Sequence, residues 1–432
     1  MKDWSIKELQ RWDDKICEIA REKYGLDWFP IEYEILDYHE MISAMAYTGL
    51  PTHYRHWSFG KSFERISTRY KLGMVGLPYE MIINSNPSIA YLMLENPMSV
   101  HLLTMAHCVG HSDFFKNNRT FKKTDPDNVI SRFKAASKRV RDYIEDPGIG
   151  VEKVEAILDA CHSIQFQVPR TSDISRKAPE IPPELKRTRE IIRDLFQLEN
   201  IKDYNLIGFI RDNARHLEDW ERDLMTMVEK RSLYFIPQAK TKIMNEGWAV
   251  LIHEKIMHDL KLPDKYHIAF LKLHNQVVRP TLGSVNPYHL GYTLFKAIEE
   301  KYNFEECKLA REIHNDESFI RKHLDQEMCR KLNLFSYSFQ KTGSKYVIGE
   351  ISDEEGWKSV KNALINNVGI NSAPVVYVSG LNKKNNTLHI RHEHDGRDLE
   401  VQYANRVFDN IRFLWGDEVE FSSTVEGEIW KF

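Results

Sequence analysis

The chain has 432 residues, with 60 Lys and Arg against 63 Asp and Glu and a formal charge of −3. That balance excludes a nucleic-acid binder built on bulk positive charge, and a content of 42% hydrophobic and 11% aromatic residues excludes a disordered chain. The longest apolar stretch, residues 89–94, falls far short of the roughly 18 residues that a spanning helix needs, so no membrane span is expected.

The opening MKDWSIKELQRWDDK is acidic where a secretory signal carries a basic flank, and it lacks the apolar run of about 7 to 15 residues. The cysteines, Cys17, Cys108, Cys161, Cys307 and Cys329, are widely spaced and include no CxxC pair. A reducing, cytoplasmic compartment is the expectation.

Along the chain, Ile6, Leu9, Ile16 and Ile19 form one stripe that predicts an amphipathic helix over 5–24, stopped by Gly25. A short helix is predicted over 38–47, and the aromatic segment HYRHWSFG at 53–60 reads as a loop. Two β-prone runs, 79–83 and 88–94, flank the turn residues Asn84-Ser85-Asn86-Pro87 and predict a hairpin. Asn96 as N-cap and Pro97 in the first helical position then open a helix over MSVHLLTMAHCVGHSDFFKN. Helices are predicted at 126–145 and 149–163, an irregular proline-rich stretch at 165–187, and helices at 207–231, 237–260 and 287–302.

After about residue 332 the texture changes to short strand-like runs, YVIGEI, PVVYVSG, TLHIRHEH, LEVQYA and VEFSSTV, with helices at 354–366 and 403–413. The fold class is therefore α+β, with a mainly helical core domain over 1–331 and a small α+β domain over 332–432.

His107 and His111 lie four apart on a predicted helix, so they share a face and can grip one divalent ion. Such pairs also arise by chance among eighteen histidines. Glu246, in Asn245-Glu246-Gly247-Trp248-Ala249, supplies a third, carboxylate ligand on a helix whose small neighbours allow close approach, in competition with a plain buried ion pair. His253 falls within about 20° of Glu246 around the helix, as a ligand or as a residue orienting the carboxylate from behind. Among weaker signals, Asp113 reads as a helix-end polar contact, His53, His56 and Trp57 as a rim or a packed aromatic loop, and Lys61 as an anion contact. His392, His394 and Asp395 read as a second metal candidate or a polar sheet edge.

HxxxH followed by NEGxA resembles the zincin arrangement of gluzincin metallopeptidases, in which two histidines and a later glutamate bind zinc. In that arrangement a glutamate general base follows the first histidine, and here that position is Cys108, about 100° off the ligand face. The chain as a whole resembles the SpoVR-like proteins, named for stage V sporulation protein R. The resemblance rests on HWSFGK at 56–61, YE at 79–80 with IINSNPSIAYL, AH at 106–107 with GHSDFFKNN, QAKTKIMNEGWA at 238–249, NPY at 286–288 with LG, and the C-terminal RHEHDGR and FLWGDEV. It implies a part in spore cortex formation, a peptidoglycan process, and the company of an AAA+-type serine protein kinase and a von Willebrand A-like protein.

Two acids are candidates to replace the missing base: Glu80, on the hairpin strand before the histidine helix, and Glu218, in the helix before the NEGWA helix. The reading is then a zincin-like core holding zinc or another divalent metal on His107, His111, Glu246 and His253. Its reaction would be hydrolysis of an amide or peptide bond in a peptide or cell-wall-related substrate. The alternative is a non-enzymatic regulatory or scaffold factor working with the kinase.

Overall fold

The computed structural model describes residues 3–72, 80–170, 198–281, 284–340, 345–351, 353–354, 356–425 and 428–431. The irregular stretch expected at 165–187 lies, from residue 171 on, outside the described residues. Among the described residues no helix is long and apolar enough to cross a membrane.

The fold is α+β and mostly helical, and it forms two compact units that do not follow the expected division at residues 331 and 332. One comprises Met1–His53, Trp57–Ala135 and Pro237–Asn371, and the other Tyr54–His56, Ala136–Ile236 and Ser372–Phe432. Strand pairing explains the difference: Leu198–Asp203 joins the edge of a sheet whose other strands all come from the C-terminal hundred residues. The helix Trp357–Asn367, in turn, packs against Asp316–His323 in the first unit.

The first unit is organised around three helices, Met98–Asn117, Lys242–Asp259 and Pro287–Lys301, with Ile6–Glu22 packed on the first. The predicted hairpin is present: Glu80–Ile83 runs antiparallel to Ser88–Met93, with Glu80 opposite Leu92. The alternating segment IEYEIL forms an unexpected third strand, Ile31–Leu36, parallel to Ser88–Met93 on its other side, which leaves Glu80–Ile83 at an edge. Two boundaries differ from expectation here. The aromatic loop ends at His56, and Trp57–Lys71 is helical. The histidine helix starts one residue later than predicted, with Pro97 in the N-cap position.

The second unit holds a five-stranded sheet in the order Glu428–Lys431, Val419–Val425, Thr387–His392, Val376–Asn382, Leu198–Asp203. The helix expected at 207–231 is divided into Leu206–Asn213 and a later helix, Asp219–Lys240, which carries Pro237 within it. LEVQYA is not a strand: the Glu400 carboxylate accepts from the backbone N–H groups of Gln402 and Tyr403 and opens the helix Val401–Trp415.

Candidate metal centre

Every residue from Met98 to Phe115 is buried, as expected of a helix that meets protein on all sides. The Lys242–Asp259 helix approaches it closely because the contact positions are small. A Cβ added to Gly110 would stand 2.7 Å from Ala249 Cα, and one added to Gly247 would stand 2.3 Å from the Gly291 carbonyl carbon of the third helix. Asp113 pins the crossing rather than ligating: it accepts from Trp248 Nε1 at 2.9 Å and pairs with Arg311 Nη1 at 3.1 Å. Asp316 accepts from the backbone N–H groups of Ile243 and Met244, each at 2.9 Å, satisfying donors in the first turn of the helix that carries Glu246.

These supports bring four side chains together. His107 Nε2 lies 3.6 Å from Glu80 Oε1 and 3.7 Å from Glu246 Oε2, and His111 Nε2 lies 3.5 Å from the same Glu246 oxygen. Ligand atoms of Glu80, His107 and His111 all fall within 4.8 Å of one another. Donors about 2.1 Å from a shared tetrahedral ion stand roughly 3.4 Å apart, so these separations match the edges of one coordination polyhedron. The far side of each imidazole is already committed: His107 Nδ1 to His253 Nδ1 and His111 Nδ1 to Asn245 Oδ1, both at 2.9 Å. Glu80 Oε2 and Glu246 Oε2 are buried without a hydrogen-bond partner. Buried carboxylate oxygens without donors are costly unless a cation satisfies them, and the residues therefore fit a divalent metal.

The electrostatics of the cluster divide its two acids. Burial pushes the Glu80 carboxyl up to about 8, and nearby Glu246 adds to the effect against the pull of His111. Burial also opposes the charge on Glu246, but the nearby His107 and His111 imidazoles outweigh it and hold that carboxyl well below its usual range. Burial lowers His107 to about 4. His111 is shifted upward, because Glu246, Asn245 and Glu80 together overcome its burial. One acid is thus proton-bearing and one charged, as environments that push paired groups apart produce. The Tyr288 ring lies 6.2 Å from that of His107, and burial together with the charges of Glu246 and Glu80 raises its phenol.

The remaining candidates are placed elsewhere. His253 is not a ligand and does not back Glu246: its two ring nitrogens are occupied by His107 and by His274, the latter at 2.9 Å. Glu218 is exposed and accepts from Trp220 Nε1 at 2.9 Å, and the metal-competent group among the described residues is Glu80, His107 and His111. The Cys108 thiol is buried and pushed well above its usual range, chiefly by burial. His56 pairs with Asp159 at 3.1 Å, and His53 packs edge-on against Phe59. His392 contacts Ser423 Oγ and His394 contacts Asp398, each at 3.0 Å, so those rings are held by internal partners. Sequence reasoning did not single out Asn245, His274, Tyr288 or Asp316 for a role. Asn245 adjoins Glu246 and Tyr288 stands in the NPY motif, but nothing local marks His274 or Asp316.

Two imidazoles and two carboxylates, gathered from crossing helices and a strand edge, define this α+β protein as one with a candidate divalent-cation centre. The family profile described as SpoVR like protein matches residues 3–202 and 181–373. The chain is 31% identical over 471 residues to the uncharacterized protein YcgB of Escherichia coli (strain K12), an alignment that covers 96% of this chain and 92% of that relative. The chain belongs to the SpoVR-like family. No solved structure matches it.

Proposed function

We propose that this SpoVR-like protein is a cytoplasmic, zincin-like hydrolase of an amide or peptide bond, with His107, His111 and Glu246 holding zinc or another divalent metal. The observation that carries the reading is the spacing of 3.5 to 3.7 Å among imidazole nitrogens and carboxylate oxygens. A divalent ion in this place supplies Lewis acidity toward a water or a carbonyl oxygen. Glu80 takes the place of the missing base: its carboxyl, raised to about 8, is tuned close to neutral pH, where general acid–base catalysis is most effective. The charge of a bound cation would favour the carboxylate form of Glu80, and in that form it would accept a proton from the attacking water and return it to the leaving amine. Tyr288 stays protonated, since burial raises its phenol.

Family membership supports a part in spore cortex formation, with an AAA+-type serine protein kinase and a von Willebrand A-like protein as partners. Because cortex peptidoglycan lies outside the cytoplasm, the substrate class that fits is a cytoplasmic peptide precursor or a regulator protein rather than mature glycan.

Elemental analysis of the purified protein tests the metal. About one ion per chain is expected, and it should be lost in both His107→Ala and Glu246→Ala. Absence of metal from the wild type after zinc loading overturns the site. Stoichiometric metal with no turnover of peptide or amide substrates supports the scaffold role instead.

A further inference from the structure

Behind His107 the structure holds a file of three imidazoles. His107 Nδ1 meets His253 Nδ1 at 2.9 Å, and His253 Nε2 meets His274 Nδ1 at 2.9 Å. We propose that His253 and His274 are positioning residues that fix His107 in the tautomer with its proton on Nδ1, leaving the Nε2 lone pair facing Glu80 and Glu246. This rests on the reading of the cluster as a metal centre.

A neutral imidazole has one N–H and one lone pair, so each ring that donates at one nitrogen must accept at the other. The file therefore has only two self-consistent senses. In one, His107 donates to His253 and His253 donates to His274, and His107 Nε2 is free to ligate. In the other, every proton points inward, and His107 carries its proton on Nε2 and cannot ligate. A ligating histidine needs the first sense, and the partner of its other nitrogen sets which tautomer is present.

The surroundings keep the file intact. His253 is fully buried, and His107 and His274 are nearly so. Removal from water disfavours a net charge on each of the three rings. The Phe270 and Tyr292 rings flank His253 and His274 respectively. After burial, Glu254 is the group that acts most on His274 and the one that favours a proton there. Its carboxylate accepts from Tyr292 Oη at 2.8 Å.

The test is zinc affinity of the full chain, by competition with a chromogenic chelator, for the wild type, His253→Leu, His253→Gln and His274→Leu. Removing an outer partner of a metal-bound histidine typically weakens binding 10- to 100-fold, so that loss is expected in both Leu variants, with about one ion still bound at saturation. The Gln carboxamide can accept from His107 and donate to His274, and it should restore most of the affinity. Leu variants that bind as the wild type does, or a Gln variant as weak as His253→Leu, overturn the proposal. Long-range 15N–1H NMR of the zinc-loaded wild type gives a second reading that needs no variant to fold: a proton on His107 Nδ1 is expected, and metal or no proton at that nitrogen overturns the file. If the wild type binds no zinc, the metal centre itself falls and the file falls with it. If the wild type binds one equivalent and the variants match it, only the file falls.

Discussion

The position after the first histidine, where a zincin carries its base, is filled by Cys108, a thiol that burial keeps protonated. About 100° of helix rotation turns it away from the ligand face. The acid that approaches His107 Nε2 instead comes from the neighbouring strand edge: Glu80, at 3.6 Å. Base and fourth ligand are separable roles for this residue. With Glu80 as base, Glu80→Gln should retain about one metal ion and lower turnover by roughly 10²- to 10⁴-fold; loss of the metal in that variant would show that it ligates. His107 and His111 were legible as a pair because helical periodicity puts them on one face, and Glu246 was legible through the small residues beside it in NEGWA. The role of His253 was not, because it depends on which helix lies beyond it, and seven-residue spacing gives only a direction along its own helix. Glu218 was misread for a related reason: its segment is a connection between two helices, and its indole partner, Trp220, is only two residues away.

The helix crossing that makes the centre depends on residues with almost no side chain. Gly110, Gly247, Ala249 and Gly291 let three helix backbones meet, and at Gly247 an added methyl would stand 2.3 Å from backbone carbon. Gly60, exposed in the Trp57–Lys71 helix, has nothing within 4 Å of the same position. Ala is favoured over Gly by about 1 kcal/mol in a helix, so Gly60→Ala should raise the melting temperature slightly. Gly247→Ala should lose that gain to overpacking, which typically costs about 1–3 kcal/mol, and should also weaken metal binding by displacing the adjoining Glu246. Equal melting temperatures for the two variants would show that the crossing has slack. At this scale the hairpin and the two site helices were readable because their turn residues, caps and runs agree locally. Ile31–Leu36 was missed because a six-residue alternating run next to a proline and aromatics carries little signal without its parallel partner. The strand-like LEVQYA misled because Glu400, an N-cap, decides the local structure against β-propensity.

Across the whole chain, the two units are assembled from interleaved stretches, and the pairing of Leu198–Asp203 with Val376–Asn382 is a contact that no local pattern announces. The acid response of such a molecule sums groups that act in opposite directions. Burial raises Asp113 to about 6 and Asp316 to about 7. These folded-state values lie above the unfolded carboxylate range, so the stability they contribute is full in acid and is lost as pH rises through them. His314 and His323 act the other way. They pack edge to face with ring centroids 5.5 Å apart, and each keeps a buried Nε2 without a partner. Burial lowers both to about 4, assisted at His314 by Lys322 and Arg119, and at His323 by His314, Lys322, Lys301 and Lys361. Their folded-state values lie below the unfolded value near 6.5, so the stability linked to their neutral forms is full above about pH 6.5 and is lost as pH falls through about 4. On chelator-treated protein, where bound metal adds nothing and the cluster's own titration is common to all variants, the melting temperature of the wild type should therefore fall more steeply between pH 6.5 and 4 than that of His314→Gln or His323→Gln, and the curves should run parallel above pH 7. Parallel curves throughout that acid window would mean that these two rings take up protons without cost to the fold.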